Sequence, residues 1–114
     1  MKSALKIVFS IIFLWMLYVT IRASAHQNVI DAVVELSKNP WAAATLYDAY
    51  FGFLTFYFWV FYRESSWASR IFWFLFIMAL GNIAMSLYML MRLFKLKPEE
   101  DFTDLLLRKE DKLL

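Results

Sequence analysis

Asp48 places a carboxylate inside a long apolar stretch of the chain, residues 41–62. An ionisable side chain at the centre of a membrane helix costs about 2.5–3.5 kcal/mol, so it pairs with another polar group or takes part in function. Asn82 and Ser86 interrupt a second apolar stretch, and Thr45 lies one helical turn before Asp48. In an antiparallel pair of helices, Asp48 would lie at the depth of Ser86. We therefore predict an intramembrane polar cluster of Asp48, Asn82, Ser86 and Thr45.

Two roles fit such a cluster. It could bind a proton, a cation or the polar head group of a lipid, because intramembrane ionisable residues often mark functional sites. Alternatively, Asp48 hydrogen-bonds across helices and only fixes their register. Three helices enclose a pore poorly, and this observation counts for the structural role rather than the ligand-binding one.

The composition indicates lipid as the solvent of this protein. The 114 residues are 62% hydrophobic and 20% aromatic, whereas a soluble globular domain is about half apolar. A chain this short has too much surface to bury so many large side chains. The sequence therefore predicts a single membrane domain over residues 1–114. A net charge of +2 does not indicate a nucleic-acid partner, and the absence of cysteine excludes disulfides and thiolate chemistry.

Three stretches are apolar enough to be membrane helices, and they cover residues 4–22, 41–62 and 71–93. The last contains no charge between Arg70 and Arg92 and would measure about 31 Å as one helix, enough to cross a bilayer. The second begins after Pro40, as helices often do. These lengths predict an all-α integral membrane protein with three transmembrane helices.

The first stretch also has features of a signal peptide. Ile7–Ile21 would measure only about 22 Å, and Ala23-Ser24-Ala25 has the small-residue spacing of a cleavage site. However, Lys6 and Arg22 can extend their charges outward and so lengthen the span. We predict a retained helix followed by a loop at residues 22–27, with cleavage after Ala25 as the alternative.

Two amphipathic helices are predicted outside these spans. Residues 28–38 carry apolar side chains at positions i, i+3 and i+4, with Asn28 as the N-cap. Residues 98–112 begin with a proline and an acidic turn and continue with a narrow apolar stripe. Both patterns are typical of helices that lie on a membrane surface. The alternatives are an irregular loop for residues 28–38 and a frayed tail for residues 98–112.

The connection between the last two spans is short and polar, which predicts antiparallel neighbours. Arg63, Glu64 and Trp67 lie here as loop residues at the membrane interface, where tryptophan is common. We expect Glu64 to pair with Arg70 in a solvated ion pair, and Ser65 or Ser66 to cap the next helix. Basic residues near the membrane number four on one side and five on the other, so they do not predict an orientation.

No catalytic motif or cofactor site is evident. His26 is the only histidine, so neither a histidine metal site nor haem ligation by the methionines of the last span is indicated. The aromatic residues between Tyr50 and Tyr62 could stack on a pigment or quinone, but they cover every face of their helix, as packing and lipid contact require. We predict a protein without cofactor or enzymatic activity.

A resemblance supports the membrane assignment. The chain contains the segment PWAAATLYDAYFGFLTFYFWVFYRESSW, then Gly81 and the segment RLFKL. With these segments it resembles a family of small uncharacterised membrane proteins of bacteria and plants, known only as a domain of unknown function. The resemblance implies a multi-span protein that retains its first helix, with Asp48 and the Glu-Ser-Ser-Trp loop as parts of the family pattern. It implies no activity.

These observations predict a non-enzymatic accessory or assembly subunit of a membrane complex. Its partners would be the lipid bilayer and another membrane protein or a second copy of the chain, with close helix packing near Gly81 and Asn82. The alternative is a homo-oligomeric small transporter or channel, or a lipid- or quinone-binding protein, that uses the cluster around Asp48.

Overall fold

The computed structural model describes residues 2–108, and this part of the chain is helical without any strand. The prediction of an all-α fold is confirmed. The helices in chain order are α1 (Lys2–His26), α2 (Val29–Leu36), α3 (Pro40–Arg63), α4 (Trp67–Leu80), α5 (Asn82–Lys95) and α6 (Phe102–Leu106).

Side-chain caps define where α2, α3 and α4 begin. Asn28 caps α2 by accepting the Ile30 N–H at 2.8 Å, as predicted. Asn39 accepts the first free N–H groups of α3, and Pro40 follows it in the first turn. Ser66, one of the two predicted serines, caps α4. Each cap satisfies N–H groups that lack a partner within the helix.

The third predicted span is wrong as a single helix, because the chain reverses at Gly81. A continuous helix would place Trp73 and Tyr88 about 22 Å apart, yet their ring centroids are 4.9 Å apart. Gly81 has φ +56°, a conformation that side chains disfavour. A Cβ at this position would lie 2.5 Å from the Phe53 ring, which packs against the turn. Helices α4 and α5 therefore form a helical hairpin with its tip at Gly81.

Helix α1 packs antiparallel along α5. Lys2, at the start of α1, donates to the carbonyl oxygens of Lys97 and Pro98 just beyond the end of α5. One turn later, the Lys6 ammonium lies 4.8 Å from the Phe94 ring centroid. Phe9 then packs with the buried residues of α5. The first helix is thus tied to the C-terminal half of the described chain.

The predicted loop at residues 22–27 is mostly helical. Helix α1 continues to His26, and the Ser24 hydroxyl donates to the Thr20 carbonyl one turn earlier. Alanine is the best helix former, so Ala23 and Ala25 favour this continuation. The small residues that resemble a cleavage site form the last turn of α1.

The C-terminal helix is shorter than predicted and begins later. Helix α6 starts at Phe102 after Asp101, whose side chain caps it, while the predicted acidic first turn forms a turn in which Glu100 accepts the Lys97 N–H at 2.8 Å. Leu105 is 2% exposed and packs against Met89 and Leu93, so α6 covers the end of the hairpin. Residues 109–112 of the predicted helix lie outside the described part.

Within residues 2–108, α1 is the one helix that is both long and apolar enough to cross a membrane. None of its residues is buried. Helix α4 is apolar but has only 14 residues. Helix α3 has 24 residues, but tyrosines, tryptophans and Asp48 lower its hydropathy. Three transmembrane helices are therefore not confirmed.

Candidate functional site

The structure does not join the four residues of the predicted polar cluster. Asp48 and Asn82 are exposed, and no hydrogen bond or ion pair within residues 2–108 involves the Asp48 carboxylate. Thr45 is exposed and donates to the Trp41 carbonyl at 2.9 Å. Ser86 is buried and donates to the Asn82 carbonyl at 2.6 Å. The hydroxyls thus bond to their own helices, and a ligand-binding role for these residues stays a prediction.

The reversal at Gly81 explains this separation. Phe53 lies at the level of Gly81. Asp48 lies five residues beyond Phe53 in one direction, and Ser86 lies five residues from Gly81 in the other. The two are therefore offset by about 15 Å along the helix axes. The predicted register assumed a continuous last helix, which would have brought Ser86 to the depth of Asp48.

A different polar cluster forms between the start of α4 and the end of α5. Tyr88 is fully buried and donates from its hydroxyl to Glu64 Oε2 at 2.9 Å. The Arg92 guanidinium forms an ion pair with the same carboxylate oxygen and donates from Nε to the Tyr88 hydroxyl at 3.1 Å. Glu64 is only 8% exposed. Glu64, Tyr88 and Arg92 form a closed triangle, which we call the Glu64 cluster.

Aromatic rings surround the Glu64 cluster. The Tyr88 ring meets its neighbours edge to face, with centroid distances of 4.9 Å to Trp73, 5.5 Å to Trp59 and 6.2 Å to Phe56. Such rings exclude water and lower the local dielectric. The ion pair is therefore electrostatically stronger, and removal of either partner costs more free energy.

The expected pairing of Glu64 with Arg70 is wrong. Arg70 Nε donates to the backbone carbonyls of Phe61 and Glu64, both at 3.0 Å. Its guanidinium also lies 4.2 Å from the Phe61 ring centroid and 5.0 Å from that of Trp67. The carboxylate of Glu64 instead meets Arg92, because the hairpin returns α5 to the beginning of α4. Trp67, predicted as a loop residue, is exposed and is the first residue of α4.

The sequence pattern does not indicate Tyr88 and Arg92 as partners of Glu64. As the far flank of a crossing helix, Arg92 would lie on the opposite side of the membrane from Glu64, whereas the hairpin places it beside that carboxylate. The available signal was Gly81-Asn82 in the middle of the apolar stretch, because a glycine beside an asparagine is typical of a turn.

Basic side chains and a cavity surround the same end of the molecule. Arg63 Nη1 donates to the Leu107 carbonyl at 2.9 Å, and Trp59 Nε1 donates to the Leu106 carbonyl at 3.0 Å, which fastens the tail after α6 onto α3. We call this end of the molecule the basic end. Its lysines and arginines are Lys2, Lys6, Arg63, Arg70, Arg92, Lys95, Lys97 and Arg108. A cavity of about 220 Å³ there is lined by Arg63, Arg92, Lys95, Leu96, Lys97, Glu100 and Asp104.

An apolar cavity of about 570 Å³ lies towards the opposite end, where α2 meets the first half of α3. Because the hairpin reverses at Gly81, it leaves this space open beside α3. Met78, near the hairpin tip, contributes to its wall, together with Val33, Ser37, Ala43, Leu46, Tyr47, Tyr50, Phe51 and Leu54. No group of acidic or histidine residues suited to a metal ion occurs within residues 2–108.

Comparison with known proteins identifies a family but no function. Residues 2–113 match a family model described as "Protein of unknown function (DUF1475)". The match covers almost the whole chain and confirms the resemblance to a domain of unknown function. No curated protein and no solved structure matches the chain.

Proposed function

The chain belongs to the DUF1475 family, and we propose that it is a small integral membrane protein that acts as a non-enzymatic accessory or assembly subunit. In this proposal α1 and α3 cross the bilayer, and the α4–α5 hairpin enters from the basic end and returns to it. An exposed polar stripe on α3 binds a transmembrane helix of another membrane protein.

Helix lengths support two crossings and one re-entrant hairpin. Helix α1 with 25 residues and α3 with 24 would measure about 36–38 Å, which exceeds a hydrocarbon core of about 30 Å. Each leg of the hairpin has 14 residues, or about 21 Å, and reaches only part of the way. Non-helical backbone inside a membrane must be buried in protein. Gly81 is buried, and its N–H donates to the Ile77 carbonyl at 2.7 Å.

The charge distribution supports an orientation. With the hairpin folded back, the basic end holds eight of the ten lysines and arginines among residues 2–108, and only Arg22 and Lys38 lie towards the other end. Lysine and arginine accumulate on the cytoplasmic side of membrane proteins. We therefore place the start of α1, the α3–α4 loop and α6 in the cytoplasm. A continuous third helix would divide the charges almost evenly.

The observation that carries the subunit proposal is the exposed stripe on α3. Small and polar side chains recur there at helical spacing and face outward, namely Ala44, Thr45, Asp48, Gly52 and Thr55. No atom lies within 4 Å of a Cβ placed on Gly52. Small residues let membrane helices approach closely, and polar ones hydrogen-bond across the contact. We call this surface the α3 stripe.

Asp48 makes exposure of the α3 stripe to lipid energetically unfavourable. Its carboxylate lies about 12 Å along α3 from Pro40 and, within residues 2–108, has no polar partner. Facing lipid alone, it would carry most of the cost of an intramembrane charge. A donor on a neighbouring helix, from another protein or from a second copy, would remove that cost.

Native mass spectrometry in lipid discs prepared from the source membrane tests the proposal. We expect the wild-type chain to appear in a complex and Asp48→Leu to appear alone. Asp31→Leu is the matched control, since Asp31 is also exposed but lies on α2. The proposal fails if the wild type has no protein partner or if Asp48→Leu stays in the complex.

The transporter alternative predicts a different result for a milder change. In a homo-oligomer whose Asp48 residues line a path, Asp48→Asn would abolish flux in proteoliposomes while leaving assembly intact. In an accessory subunit, Asp48→Asn would keep a hydrogen-bonding group and weaken assembly only modestly.

The apolar cavity favours a second candidate, binding of a lipid or quinone tail. Its wall combines aliphatic groups with the aromatic side chains of Tyr47, Tyr50 and Phe51, as small-molecule sites do. Leu54→Trp would fill part of this space. If the cavity holds a tail, lipid extracts of the purified variant should lack a molecule that co-purifies with the wild type.

A further inference from the structure

We propose that the cavity at the basic end binds a phosphate group. Four of its seven lining residues, Arg63, Arg92, Lys95 and Lys97, are basic, and its volume of about 220 Å³ is large enough for a phosphate ester. Two sources share this chemistry: the head group of an anionic membrane lipid, and a free phosphate compound. The cavity lies apart from the α3 stripe and does not depend on the subunit proposal.

The acidic groups nearby are already engaged within the protein. Glu64 accepts from Tyr88 and Arg92. Glu100 accepts the Lys97 backbone N–H at 2.8 Å, and Asp104 Oδ2 accepts the Asp101 N–H at 2.8 Å. These bonds hold the carboxylates in place around the cavity.

The ammonium groups of Lys95 and Lys97 provide the mobile positive charge. Both residues are exposed, and neither forms an ion pair within residues 2–108. Lysine side chains of this kind bind phosphate as point charges.

At this cavity, where Asp104 also buries a carboxylate oxygen, Arg63 has a donor that lacks an acceptor. Its Nη1 donates to the Leu107 carbonyl, but its Nε is buried and has no hydrogen-bond partner. A buried donor without an acceptor costs about 1–3 kcal/mol, so native structures usually satisfy it. A phosphate oxygen in the adjoining cavity would accept from this group and also interact with the lysines.

The position of the cavity suits a lipid head group when the proposed membrane arrangement holds. It lies where α5 ends and the segment leading to α6 begins, at the end we assign to the cytoplasm. Basic pockets on that side of a membrane bind anionic head groups. A free phosphate compound would reach the same opening from solution.

Calorimetric titrations of the full-length protein in detergent test this proposal. The ligands are short-chain phosphatidylglycerol, short-chain diacylglycerol without phosphate, and inorganic phosphate at constant ionic strength. The variants are Lys95→Gln/Lys97→Gln and Lys95→Arg/Lys97→Arg, with Lys38→Gln as the control for charge removal at the opposite end.

We expect phosphate-bearing ligands to bind and diacylglycerol not to bind. The double glutamine variant should lose about tenfold in affinity, as removal of a charge-assisted contact does, while the arginine variant and Lys38→Gln bind as the wild type does. Binding of phosphatidylglycerol alone identifies a lipid source, and binding of inorganic phosphate identifies a soluble one.

The proposal is overturned if neither phosphate-bearing ligand binds, if diacylglycerol binds equally, or if Lys38→Gln weakens binding as much as the double glutamine variant. These outcomes leave the subunit proposal untouched, because the Asp48 variants test that separately. Conversely, inorganic phosphate can bind in detergent whether or not the protein has a partner in its membrane.

Discussion

The Tyr88 hydroxyl donates to Glu64 Oε2 at 2.9 Å and thereby joins the end of α3 to the middle of α5. This bond requires the chain between Glu64 and Tyr88, which forms α4 and the first half of α5, to fold back on itself. Arg92 completes the contact with the same carboxylate. The Glu64 cluster therefore holds the base of the α4–α5 hairpin closed, and Gly81 makes its tip.

Removing the charge of Glu64 should open this base. Glu64→Gln keeps the shape of the side chain but leaves the Arg92 guanidinium, which is only 17% exposed, without a counter-charge. We expect a loss of about 3 kcal/mol in the free energy of unfolding, measured by denaturant titration in detergent. Glu35→Gln, an exposed change on α2, is the control. A loss no larger than that of the control would contradict a structural role for the ion pair.

Removing the Tyr88 hydroxyl should have a smaller effect. Tyr88→Phe keeps the ring among Trp59, Trp73 and Phe56 but removes both the donor to Glu64 and the acceptor of Arg92 Nε. Because Arg92 still satisfies the carboxylate, we expect a loss of about 1 kcal/mol in the free energy of unfolding. In the Glu64→Gln background the same change should cost less, which a double-mutant cycle measures. Strict additivity would show that the two residues do not act together.

The two glycines should respond oppositely to alanine. Gly81→Ala introduces a Cβ at φ +56° that would meet the Phe53 ring at 2.5 Å, so we expect a loss of about 2 kcal/mol in stability. Gly52 lies inside α3 with open space around it, so Gly52→Ala should stabilise the helix by about 0.5–1 kcal/mol in detergent. Thermal unfolding of both variants checks this, and equal midpoints would contradict the hairpin turn.

The packing of α1 on α5 can be tested with another matched pair. Leu5 packs with Leu93 and Leu105, whereas Ile11 is 61% exposed on the same helix. We expect Leu5→Ala to lower the free energy of unfolding by about 1–2 kcal/mol and Ile11→Ala to leave it almost unchanged in detergent. If Leu5→Ala is also silent, α1 is not a packed part of the fold.

Local sequence signals predict the helices well in this protein. Apolar periodicity, Pro40, Asn28 and the serines before α4 act within a few residues, so their consequences can be deduced from sequence. The hairpin has a single local signal, the glycine and asparagine at its tip. A crossing helix and two short antiparallel helices have the same apolar composition. They differ in the sequence only at Gly81, where a glycine allows the backbone to turn.

The site predictions depended on that distinction. Asp48 and Ser86 share a depth only if residues 71–93 cross as one helix, so the predicted cluster failed to form when the chain reversed. The Glu64 cluster arises from the same reversal, which brings Arg92 to a residue 28 positions away. Contacts of this range depend on topology, and no local pattern specifies them.

The re-entrant hairpin is the central claim, and cysteine labelling in sealed membrane vesicles tests it most directly. The natural chain has no cysteine, so single exposed positions can be labelled without background. Ser65→Cys lies in the α3–α4 loop, Thr103→Cys lies in α6, and Lys38→Cys marks the opposite end. We expect a membrane-impermeant maleimide to label Ser65→Cys and Thr103→Cys from the same side and Lys38→Cys from the other. Labelling of Ser65→Cys and Thr103→Cys from opposite sides would show that residues 71–93 cross the membrane once and would contradict the hairpin.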